Sequence, residues 1–124
     1  EAQILGGDDT SERFTGNVCT AGTHIVMDNQ VITQHCTNST YPAIRDASWV
    51  QMEVEVHGSD SIIHKVNGEV VLKYSKPQYD DQDAFARKRM EDGYPRIINE
   101  GYIALQAEGH PVEFRNIELM KLEE

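Results

Sequence analysis

Apolar and polar side chains alternate without a break from Val50 to His57, within a stretch that begins at residue 48. Val50, Met52, Val54 and Val56 fall on one face, and Trp49, Gln51, Glu53 and Glu55 on the other. That period of two predicts a strand with one buried side. After a turn at Gly58-Ser-Asp60, two further strands are predicted at 62–66 and 69–74, joined by Asn67-Gly68, the strongest short hairpin signal in the chain. Residues 18–27 and 30–37 alternate more loosely and are rich in Val, Ile and Thr. Asp28-Asn29 between them can take the positive φ of a two-residue turn. Such a turn sets Val26 opposite Val31 and His24 opposite Thr33. It leaves Cys19 two residues out of register with Cys36, so a bridge between them requires the Thr20-Ala21-Gly22 stretch to bulge. A short strand is predicted at 1–5, with Glu1 and Gln3 on one face. Turn and loop residues follow from Gly6 to residue 17 and again over 38–47.

Residues 75–100 form a long insertion for a strand connection, expected to wall or lid one face. Within it, 82–91 is predicted as a short helix, stopped by Asp92-Gly93. The last 22 or so residues are expected to be two strands around a Gly109-His110-Pro111 corner. In the first, Ile103 and Leu105 point one way, while Tyr102, Ala104, Gln106 and Glu108 point the other. In the second, Val112 and Phe114 have one parity, Ile117 and Leu119 the opposite one. Either a bulge lies near Arg115-Asn116, or both faces are partly buried. Many short strands with one short helix imply an all-β, antiparallel sandwich.

The 124 residues set a limit of one domain, 1–124, and 39% apolar residues allow a modest core. No apolar run is long enough to span a bilayer. The formal charge of −10 repels phosphate backbones, and no basic stripe offsets it, so nucleic acid is excluded as an expected partner. An even pair of cysteines favours one disulfide, Cys19 to Cys36, and an oxidising compartment, periplasmic or extracellular. Zinc held by Cys19, His24, His35 and Cys36 is the alternative, although the spacing matches no common finger pattern. The pairs Asp8-Asp9 and Asp80-Asp81 are oxygen-rich loop segments of the kind that can bind calcium. The competing reading is two solvated acidic loops.

The stretch GYIALQAEGHPVEFRNIEL at 101–119 resembles the closing strands of the 3-keto-disaccharide hydrolase family. Residues 1–5, the Trp49 strand and the 62–71 hairpin fit the same family in the same order. The resemblance implies a jelly-roll sandwich of the concanavalin-like lectin and glucanase type. Family members carry more strands ahead of the segment matching residues 1–5, so the chain is expected to correspond to the C-terminal part of the family domain. It also implies a bacterial carbohydrate-active protein that cleaves glycosides whose sugar carries a 3-keto group.

Within that frame a polar sheet face is the expected sugar site. Amides and carboxylates bond hydroxyls in pairs, and an aromatic ring stacks on a pyranose. Glu1, Gln3, Trp49 and Gln106 are the expected substrate-binding residues, and Glu108, His64 and Arg115 the expected catalytic ones. A ketone acidifies the neighbouring C–H, so the reaction needs a base and a group to hold developing negative charge. Glu108, or one of His24, His35, His64 and His110, supplies the base in this reading, and Arg115 holds the oxyanion. A two-carboxylate glycosidase using Glu1 and Glu108 is a second mechanism. The competing functional classes are a non-catalytic carbohydrate-binding module and an incomplete domain that assembles with another copy or a partner chain.

Overall fold

The computed structural model describes residues 1–123 and is built almost wholly of antiparallel strands. Five strands form the largest sheet, in the order β5-β4-β10-β9-β8: β4 (Thr23–Met27), β5 (Gln30–Ile32), β8 (Met52–His57), β9 (Ser61–Val66) and β10 (Glu69–Tyr79). Against it lie a three-stranded sheet of β1 (Ala2–Gln3), β3 (Asn17–Cys19) and β6 (Cys36–Thr37), and a two-stranded one of β2 (Phe14–Thr15) and β7 (Tyr41–Pro42). One helix, α1 (Ala84–Glu91), completes the body. The all-β class with one short helix is therefore as expected.

The core forms where the small sheets meet the large one. Val18 of β3 packs with Ile25 of β4, Val66 of β9, and Val71 and Leu72 of β10. At the meeting point is Gly16, at φ 77°; a Cβ there would stand 2.8 Å from a Val66 methyl and 3.2 Å from one of Val71. Only glycine allows this backbone both its left-handed φ and its close approach. Asn17, also buried, donates to Gln3 Oε1 and to the Phe14 carbonyl at 2.8 Å, and accepts from the Ser39 amide at 2.9 Å. Among the described residues, no buried side-chain polar atom lacks a partner, as burial demands.

Both hairpin turns lie where the sequence puts them. Val26 pairs with Val31 across Asp28-Asn29, and Val66 with Glu69 across Asn67-Gly68. Asp83 caps α1 by accepting from the Ala86 amide at 2.8 Å, which satisfies a donor the helix cannot.

Four details differ from expectation. Cys19 and Cys36 are bonded, but as direct partners of β3 and β6, not across a bulged hairpin. The chain leaves one sheet and enters another at Thr20-Ala21-Gly22, with Gly22 at φ 67°; the residues expected to bulge make the crossing. The predicted strand at 48–57 begins only at Met52, because Gln51 already spends its amide and carbonyl on Asn67 of the turn, each at 2.9 Å. Beyond it β9 has ended, so residues 48–50 have no strand partner. Conversely β10 runs on through Pro77 to Tyr79 into the expected loop, where β4 is its partner from Ser75 to Tyr79 on both sides of a register shift between Ser75 and Gln78.

The last difference is the largest. Residues 101–123 carry no assigned strand and are exposed nearly throughout. The turn at Gly109-His110 and the kink near Arg115-Asn116 are present, the latter with Asn116 at φ 52°. The alternation is intact, but a strand also needs a neighbour, and none of the described strands lies alongside.

Candidate functional site

Trp49 and Arg115 meet. The Trp49 ring is half exposed, just ahead of β8, and the Arg115 guanidinium carbon stands 4.0 Å from its centroid. Beside them opens a recess of about 290 Å³ lined by Ala47, Ser48, Trp49 and Glu113. The indole offers a flat apolar surface, and the delocalised cation stacks on it. Glu113 and Arg115 are two residues apart on an extended chain, so they share a side. The result is an aromatic plate and a carboxylate lining one hollow, with a fixed positive charge stacked on the plate. Such a set can stack a sugar ring, hold negative charge and accept a proton.

Glu113 was not among the residues singled out from the sequence. Its parity with Arg115 could have found it, since any site using Arg115 would see Glu113 on the same face.

The other expected site residues lie elsewhere. Gln106 and Glu108 are exposed on the C-terminal stretch and are not among the residues lining the recess. Glu1 is exposed beside Cys19, to whose carbonyl the chain's amino group donates at 3.0 Å. Gln3 uses its side-chain oxygen on buried Asn17.

His64 is wholly enclosed, with 0% of its surface exposed. Its Nδ1 lies 2.8 Å from the Gly16 carbonyl, so Nδ1 carries the proton and donates; Nε2 then accepts from the Tyr74 hydroxyl at 3.0 Å. Burial lowers its pKa, opposed by the Gly16 bond and aided by the positive charge of the chain's amino terminus. Burial likewise pushes the Tyr74 phenol up to about 12. Both groups stay neutral, and His64 in this geometry touches no solvent-borne molecule. It joins the sheets.

His24 is paired with Asp80 at 3.5 Å, and His35 lies 3.1 Å from the Thr20 carbonyl. With Cys19 and Cys36 oxidised, the zinc alternative has lost its thiolates. The acidic loops are engaged locally. Asp8 accepts from the Thr10 and Ser11 amides at 2.9 Å and faces Arg13 at 2.6 Å, and the two backbone bonds, Thr10 first, lower its carboxyl to about 2. Asp81 faces Arg96 at 3.6 Å. Among the described residues no three His, Cys, Asp or Glu side chains converge on a point where an ion could sit. Nor is any described helix long and apolar enough to cross a membrane.

A family model described as the 3-keto-alpha-glucoside-1,2-lyase-like domain matches residues 1–120. No curated protein and no solved structure matches.

Proposed function

Because the chain belongs to the 3-keto-alpha-glucoside-1,2-lyase-like domain family, we propose that it cleaves glycosides bearing a 3-keto group, at the recess beside Trp49. The observation that carries this reading is that Trp49 and Glu113 line one hollow while Arg115 stacks on the Trp49 ring. Trp49 supports the sugar ring. Glu113 takes the proton from the carbon between the ketone and the anomeric centre. The electron pair moves into the carbonyl, and Arg115 holds the resulting enolate oxygen. Collapse of the enolate breaks the anomeric C–O bond, and the leaving alcohol picks up a proton. Water then adds across the new double bond. Only the enolate carries full negative charge on oxygen, so a fixed cation favours it over the ground-state ketone. The oxidised cysteine pair supports a periplasmic or extracellular location.

A second reading is a carbohydrate-binding module. The openness of the hollow and the half-exposed plate of Trp49 favour it, since a module needs a stacking surface and no exclusion of water. Steady-state turnover of a 3-keto-α-glucoside separates the two. The enzyme reading expects turnover by the wild-type chain and a loss of kcat of roughly 100-fold or more in Glu113→Gln, the scale of general-base catalysis. Saturable binding without turnover supports the module, and turnover unchanged in Glu113→Gln removes Glu113 as the base.

A further inference from the structure

The stretch that carries Trp49 is held by a side chain on either flank. On one flank, Asp46 Oδ1 accepts from the Ser48 amide at 2.8 Å. The Ser48 hydroxyl is a second donor, and the hydroxyl first, then the amide, hold the Asp46 carboxyl below its ordinary value. On the other flank, Gln51 is tied to the β9–β10 turn. Its amide donates to Asn67 Oδ1, and its carbonyl accepts from the Asn67 amide, each at 2.9 Å. Asn67 Nδ2 donates in turn to the Tyr41 hydroxyl at 3.1 Å, and Tyr41 packs against the core. Val50 packs there too, which turns its neighbour Trp49 to the opposite side. An apolar contact sets that facing; the directional bonds of Asp46 and Asn67 set the path of the chain on each side of it.

We propose that Asp46 and Asn67 are positioning residues for the sugar site: they fix where Trp49 stands beside the recess while neither lines it. Asp46 closes the turn that presents Ala47 and Ser48, two of the residues of the recess wall. Asn67 fixes the point at which the chain enters β8, two residues past the indole. Stacking on a ring weakens steeply with separation, so a plate that wanders binds a sugar less well. The Arg115 guanidinium lies on the same ring, so a displaced indole also shifts the surface on which the cation rests. The placement rests on the hydrogen bonds alone, and its consequence for a ligand rests on the sugar reading proposed above.

Fluorescence of the single tryptophan tests both parts. Asn67→Gly removes the side chain and keeps the left-handed φ of 49° without steric cost, so the turn survives. Asp46→Ala removes a carboxylate from an exposed position. Both variants are expected to fold and to lower the steady-state anisotropy of Trp49. Both are expected to weaken binding of a 3-keto-α-glucoside about fivefold, the scale of one lost hydrogen bond. Asn67→Asp and Asp46→Asn keep an acceptor in place and are expected to recover most of both signals. A role confined to the shape of the turn would leave Asn67→Gly at wild-type anisotropy and affinity. Unchanged anisotropy in Asn67→Gly or Asp46→Ala overturns the proposal for that residue, whether or not a sugar binds. Lowered anisotropy with wild-type affinity overturns it as well, since the plate's position then does not matter to the ligand. Absence of binding by the wild-type chain sinks the sugar reading instead, and the anisotropies then decide the placement by themselves.

Discussion

His64 and Tyr74 form a buried neutral pair, with Nε2 3.0 Å from the phenol oxygen and the rings edge to face at 83°. The imidazole's other nitrogen donates to Gly16, so this one side chain links β9, β10 and the approach to β3. Among the described residues it is the most enclosed polar side chain, and burial favours its neutral form.

That neutrality sets a pH dependence. The folded-state pKa of His64 lies below its ordinary 6.5, chiefly through burial. In the unfolded chain the imidazole gains a proton as pH falls past that value, while the folded chain does not. The unfolded state therefore binds more protons, and stability falls with falling pH. The contribution is whole above pH 6.5 and is lost as pH drops toward the folded-state pKa, at no more than about 1.4 kcal/mol per unit. Urea midpoints at pH 7.5 and 5.5 check this: the wild type should lose stability, and His64→Leu, weaker overall, should lose less between the same two pH values. An equal loss in both would remove His64 as the cause. A second decline is expected lower down, because Lys65 first and His57 second hold the Glu55 carboxyl at about 2 in the folded chain. Its contribution is present above 4.5 and lost as pH falls through 2.

Tyr74→Phe removes the donor and leaves Nε2 buried without a partner. A loss of about 1–2 kcal/mol is expected from denaturant unfolding. Gly16→Ala should cost more, about 3 kcal/mol, since it adds a left-handed strain to a methyl only 2.8 Å from Val66. A neutral Gly16→Ala would mean that the two sheets do not approach as described.

Reduction of Cys19–Cys36 opens a loop of 17 residues. The chain-entropy estimate is about 3 kcal/mol, so the reduced chain should unfold at clearly lower urea. Thiol reagents should label the native chain only after reduction.

Removing the Asn67 side chain tests the start of β8. Its amide oxygen accepts from Gln51 at 2.9 Å, and its amide nitrogen donates to the Tyr41 hydroxyl at 3.1 Å. Asn67 also takes φ 49°, which alanine disfavours. Asn67→Ala should cost about 1–2 kcal/mol and speed amide exchange at Gln51, read by hydrogen exchange.

Local pattern made the turns, α1 and the β8–β9–β10 meander legible, because each rests on neighbours close in sequence. Asn67-Gly68 and Asp28-Asn29 need only their own backbone angles. The cysteine pair was legible as a bond but not as a topology: nothing within residues 18–37 says that β3 and β4 belong to different sheets, since that depends on what packs behind them. His64 illustrates the same limit. Its chemistry made it a candidate base on a polar sheet face, and only its burial and its distances to Gly16 and Tyr74 decide what it does. Alternation over 101–108 marks strand character, yet pairing depends on a neighbour that a single strand's pattern cannot name. At the recess, Trp49 and Arg115 were each legible by type, whereas their meeting across 65 intervening positions and the part of Glu113 were not.

The most direct check on the sugar site uses the fact that the chain has one tryptophan, so its emission reports on the recess alone. Titration with a 3-keto-α-glucoside should shift Trp49 emission saturably in the wild type and in Glu113→Gln, with affinity weakened at least tenfold in Arg115→Ala. Saturable binding detected by calorimetry with no change in Trp49 emission would place the ligand elsewhere and contradict the assignment.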